Sequence, residues 1–137
     1  MNLLLDTCVV REIQKPNAIA FAAEFISSRH PEHLFLSVIT LGEHQKGISL
    51  LPAGQERRDL EIWSVLLQGD YAKRILPIDG EVALLWGELA ARDRNLPVPD
   101  GLIAATALRH GMGVVTRNTK DFRSTGVVLI NPWQGAD

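Results

Sequence analysis

The 137-residue chain contains one cysteine, Cys8. A single thiol excludes an internal disulfide and any cysteine-based zinc site, and a reducing cytoplasm is the expected compartment. Aromatic residues make up only 6% of the chain. Trp63 and Trp86 fall on amphipathic helical stretches, where they read as core rather than as base-stacking platforms. No apolar run approaches the roughly 20 residues needed to cross a bilayer, so no membrane partner is expected. The opening stretch Met1 to Asp6 lacks a basic region and is cut short by the aspartate, which makes a poor signal peptide. The formal net charge is −2, so nothing overall advertises nucleic acid. Arg117, Lys120 and Arg123 form a local basic group that could meet phosphates or simply be solvated.

Several chemistries are missing as well. There is no Gly-x-Ser-x-Gly elbow, phosphate-cradling P-loop or dinucleotide fingerprint. His30, His33, His44 and His110 show no paired metal-ligand spacing, and most of them read as surface groups. Cys8 has no histidine placed to activate it, so it reads as a buried thiol.

What is present is an alternation of short apolar runs with amphipathic stretches. Leu3 to Leu5 form a continuous apolar run of the kind found in a central strand buried on both faces. Lys15-Pro16-Asn17 breaks the chain, and Asn17 is placed to cap a helix from Ala18 to Ser28. Leu34 to Val38 reads as a second strand, after which Thr40 opens a helix carrying Glu43. A longer helix follows the break at Leu51 to Gly54 and runs from Gln55 to Gln68, with Leu60, Trp63, Leu66 and Leu67 at helical spacing. Ile75 to Ile78 reads as a third strand, which Pro77 confines to an edge. Asp79 then caps a helix from Glu81 to Arg92. Leu96 to Pro99 is a stiff connector, Asp100 to His110 a helix closed by Gly111, and Val114–Thr116 and Val127–Ile130 two further strands. The pattern predicts one domain over residues 1–137, an α/β/α sandwich around a parallel sheet of about five strands.

Four carboxylates share one kind of position in that pattern. Asp6, Glu43, Asp100 and Asp121 each lie just past a strand or near the start of a helix, and such positions gather at the carboxyl edge of a parallel sheet. Each has a plain structural reading. Glu43 completes the capping box Thr40-Leu41-Gly42-Glu43, Asp100 begins a helix, and Asp121 suits an Asx turn. Asp6 is the exception, because a carboxylate directly after three leucines is costly to bury without partners. Gathered together, four carboxylates repel one another unless a cation sits among them, which points to a divalent-metal site of oxygen ligands. Asp79 is read as a helix cap at the sheet edge, and Glu88 and Asp93 as solvated.

Leu4-Leu5-Asp6-Thr7, Ser37 to Glu43, Pro99 to Ala107, Val115 to Phe122 and the closing Ile130-Asn131-Pro132-Trp133 resemble the PIN-domain family. Their order and spacing are most similar to the VapC and FitB branch, the toxin halves of bacterial toxin–antitoxin pairs. The resemblance implies a metal-dependent ribonuclease, usually a homodimer, held inactive by a cognate antitoxin. It carries the acidic quartet onto Asp6, Glu43, Asp100 and Asp121, and supporting polar roles onto Thr7, Thr116 and Asn118. Mg²⁺ or Mn²⁺ would be the cofactor, with Asp6 and Asp100 as direct ligands and Glu43 and Asp121 acting directly or through water. The products implied carry a 5′-phosphate and a 3′-hydroxyl. Arg117 and Lys120 would touch substrate phosphates. The chain departs from the family at Cys8, where many relatives have asparagine, and at His44, where an apolar residue is common. Two other readings stand beside this one. A receiver-like signalling domain would use Asp79 as phosphoacceptor, but it would carry an adjacent acidic pair where Asp6 is followed by Thr7 and Cys8. A non-catalytic module would keep the fold only to bind a partner.

Overall fold

The computed structural model describes residues 1–134; the last three residues of the predicted domain lie outside that range. The strands are β1 (Leu3–Leu5), β2 (Leu34–Ser37), β3 (Ile75–Leu76), β4 (Gly113–Val115) and β5 (Leu129–Ile130). They form one parallel sheet in the order β3-β2-β1-β4-β5, which puts β1 at the centre and β3, which ends just before Pro77, at an edge as expected. The helices are α1 (Thr7–Ile13), α2 (Ala20–Ser27), α3 (Val38–Ser49), α4 (Gln55–Asp70), α5 (Gly80–Arg92), α6 (Val98–Arg109) and α7 (Thr119–Phe122).

The two-residue period of the strands divides the core into two layers. Leu4, Phe35, Leu76, Val114 and Leu129 face one side, where they pack with Val82, Leu89, Ile103, Ala104 and Phe122 of α5, α6 and α7. Leu3, Leu5, Leu34, Leu36, Ile75 and Val115 face the other, against Val9 and Val10 of α1, Phe25 of α2, and Trp63 and Leu67 of α4. Both faces of β1 are therefore buried, which is why its sequence shows no polar alternation. The α/β/α sandwich with five parallel strands is the predicted architecture. None of the described helices is long and apolar enough to cross a membrane.

Several boundaries differ from the expected ones. The segment after Asp6 folds as α1, whose run Thr7-Cys8-Val9-Val10 has no visible helical period. Asn17 does not cap α2, which begins at Ala20 with Ile19 at its N-cap. Helix α3 opens at Val38, not at Thr40, because the Ser37 side chain accepts from the Ile39 backbone N–H. Helix α6 takes Val98 and Pro99 into its first turn, where a missing N–H costs nothing. Gly101 lets α6 approach α5, since a Cβ there would lie 2.8 Å from Trp86 Cδ1. Asp79 does cap α5, accepting from the Val82 N–H at 2.9 Å.

Candidate active site at the carboxyl edge

Asp6 is built into the sheet and into a helix at once. Its backbone N–H continues the ladder to the Val115 carbonyl. Its Oδ1 accepts from the Thr7 N–H at 2.8 Å, making it the N-cap of α1. The other oxygen, Oδ2, accepts from Thr116 Oγ1 at 2.7 Å and, more weakly, from Cys8 Sγ at 3.4 Å. The carboxylate is 3% exposed. Burial pushes its pKa up, and the bonds from Thr116, Thr7 and Cys8 hold it down against that.

Thr116 follows β4 directly and is fully buried. Its hydroxyl both donates to Asp6 and accepts the Asn118 backbone N–H at 2.9 Å. Asn118 thus reaches the cluster through its backbone, and its side chain makes no capping bond to α7. Cys8 accepts from the Arg117 N–H at 3.4 Å. Its thiol is pushed up to about 11 by burial and then by the Asp6 charge, so it stands protonated beside the carboxylate. The thiol expected to be buried is only half-buried, and it touches the site.

Glu43 lies in the second turn of α3 and does not close a capping box. Its Oε1 instead accepts from Thr7 Oγ1 at 2.6 Å, thirty-six positions away in the chain. Two more contacts tie α1 to α3 along the same face: Arg11 Nη2 reaches the Glu43 carbonyl at 3.4 Å, and His44 Nε2 meets Gln14 Oε1 at 2.5 Å. Positions 7, 11 and 14 follow helical spacing, so one stripe of α1 holds Glu43 in place. His44 is 3% exposed and packs on the Trp63 ring at 5.5 Å, so it is not among the surface histidines. Asp93 is likewise not simply solvated, since it accepts from Ser124 Oγ at 2.7 Å.

Asp100, in the first turn of α6, completes the picture. Its pKa is pushed up to about 7, first by burial and then by the negative charges of Asp6, Asp121 and Glu43. Asp100 therefore feels the charges of the other three predicted carboxylates, each from a different segment of chain. Asp121, in α7, is the exposed member. Among the described residues no three His, Cys, Asp or Glu side chains stand close enough to enclose an ion by themselves. The donor set nevertheless fits a small hard cation, which is commonly held by one or two carboxylates with water completing the octahedron. Thr116 and Thr7 escape any sequence argument from charge. Only their positions, directly after a strand or after Asp6, signal them.

A parallel α/β/α sandwich with Asp6 closing its central strand, and with Asp6, Glu43 and Asp121 all acting on Asp100, defines the class of protein. The chain belongs to the PIN domain family, whose model matches residues 3–128. It is 34% identical to the VapC ribonuclease Y4jK of Sinorhizobium fredii over 142 residues, covering 98% of this chain and 99% of that protein. It is 33% identical to Toxin FitB of Neisseria gonorrhoeae over 136 residues, covering 96% and 98%. Among solved structures, FitAB bound to a DNA fragment superposes with a TM-score of 0.91 at 32% identity, covering 98% of each chain.

Proposed function

We propose that this chain is a metal-dependent endoribonuclease, the toxin of a toxin–antitoxin pair. The observation that carries the reading is the convergence of Asp6, Glu43 and Asp121 on Asp100, which burial first and then those three charges push up to about 7. A fold built for stability alone gains nothing from holding like charges together. The names of the relatives, a VapC ribonuclease and Toxin FitB, support the nuclease and toxin parts of the reading. A solved relative described as FitAB supports an antitoxin as partner. A cytoplasmic homodimer is the proposed working form, and the exposed apolar side chains Ile62, Val65 and Leu66 on α4 favour a second copy.

Asp6 and Asp100 would hold Mg²⁺ or Mn²⁺, with Glu43 and Asp121 bonded directly or through water. When bound, the cation supplies Lewis acidity that lowers the pKa of water and offsets charge on the scissile phosphate. Thr116 keeps Asp6 oriented and Thr7 keeps Glu43 oriented, the outer support that such ligands need. Asn118 would join them in orienting water or carboxylate. Asp100, raised to about 7 by burial and then by its acidic neighbours, would give up the proton it holds as the site fills. Arg117 and Lys120, exposed beside the acids, would take substrate phosphates.

The test is cleavage of single-stranded RNA by the purified chain with Mg²⁺ or Mn²⁺. Activity should vanish with EDTA and in the Asp6→Asn protein. Unchanged cleavage by Asp6→Asn would show the activity to come from elsewhere.

A further inference from the structure

Four carboxylates repel a polyanion, so RNA binding needs cations beyond the one among the acids. Arg117 was legible as one such group, and it leans over the Trp133 ring at 5.8 Å on the β4 side of α1. Arg11 lies on the α3 side. It sits one helical turn after Thr7, whose hydroxyl bonds Glu43, and its own Nη2 lies 3.4 Å from the Glu43 carbonyl. Its side chain is exposed, and it lines a hollow of about 240 Å³ with Gln14, His44 and Leu60. Among the described residues neither arginine forms a salt bridge. One carbonyl contact leaves most of the guanidinium's five donors free.

We propose that Arg11 grips a backbone phosphate of the RNA on the α3 side of the acidic cluster, across α1 from Arg117. This rests on the nuclease reading above. It assigns the strand a path across α1, with the scissile phosphate at the acids and a neighbouring phosphate on each flank. The competing role for Arg11 is structural: a basic residue in the last turn of α1 that ties this helix to α3. The two roles make opposite demands on the side chain. A glutamine keeps a donor for the Glu43 carbonyl and loses the charge, whereas a lysine keeps the charge.

The experiment measures fluorescence anisotropy of a labelled single-stranded RNA on the uncleaving Asp6→Asn protein, from about 50 to 200 mM salt, where each phosphate contact contributes about 0.7 to the slope of log affinity against log salt. R11A and R11Q should each flatten the slope by about 0.7 and weaken binding, and R11K should keep the parent slope. In the cleaving protein, R11Q should raise KM and leave kcat within about twofold. Parent-like binding by R11Q alongside loss in R11A would assign Arg11 the structural role and overturn the proposal. So would an unchanged slope in all three variants. An unsubstituted chain that cuts no RNA with either metal would instead sink the nuclease reading itself, so the two failures are distinguishable.

Discussion

The two ends of the sheet treat charge in opposite ways. At the amino end, Arg74 spends its guanidinium on the carbonyls of Pro31, Leu34 and Asp70 and stacks on the Tyr71 ring at 4.4 Å. These three carbonyl contacts close the corner between α4, β2 and β3. At the carboxyl end, Asp6 is satisfied by Thr7 and Thr116, yet Asp100 is raised to about 7 by burial and the three carboxylates around it. The same strands support both arrangements. One end is optimised for folding, and the other retains repulsion that only a ligand can relieve, which is the usual signature of a working site.

Substitutions that separate the two ends sharpen the contrast. The largest effect belongs to Asp6→Asn, which should lower cleavage by more than about a hundredfold, beyond the range seen for outer partners of a metal ligand. Asparagine caps a helix about as well as aspartate, so the melting temperature should not fall. A fall in both activity and melting temperature would mean that Asp6 acts mainly through the fold. Thr116→Val comes next. It leaves Asp6 without its closest donor, 2.7 Å away, and should cost roughly 10- to 100-fold in activity or metal affinity. Thr116→Ser, which restores the donor, should recover most of that loss in the same cleavage assay.

Arg74→Ala tests the other end. It removes hydrogen bonds from a charged donor and should destabilise the chain by about 2 kcal/mol in urea unfolding. Cleavage per folded molecule should be unchanged, because Arg74 lies at the far end of the strands. A specific loss of activity in the folded protein would contradict the separation of the two regions.

How much of this was legible before the structure depended on the range of the interaction that decides each feature. The leucine run of β1, the edge placement of β3 and the cap made by Asp79 follow from local chemistry and are where they were expected. The acidic residues were legible because strand ends converge in any parallel sheet, whatever the loop lengths. Helix α1 was not, since Val9 and Val10 read as well in a strand and only packing against β1 and α3 decides the matter. Glu43 offered a local partner at Thr40, but Ser37 starts the helix earlier and frees Glu43 for Thr7. His44 is buried by Gln14 and Trp63, both distant in sequence, and nothing in its neighbours foretells that.

The smallest effect is the most telling for the contrast, because it runs against the usual direction of a substitution. The folded-state pKa of Asp100 is raised from an ordinary value of 3.8 to about 7. A raised carboxylate contributes stability that is fully present below the unfolded pKa and is lost as pH climbs through the folded value. The metal-free protein should therefore weaken between about pH 4 and pH 7, with Asp6 adding in the same direction. Asp100→Asn removes this loss. Discounted for solvent screening at a half-exposed group, the variant should be more stable than its parent by about 1 kcal/mol near pH 8 in EDTA, and by little near pH 5. Adding Mn²⁺ should reverse the ranking, since the parent gains binding energy that the variant has lost. If urea unfolding gave Asp100→Asn the lower stability at pH 8 without metal, the carboxyl end would not be storing repulsion, and the difference between the two ends of the sheet would lose its physical basis.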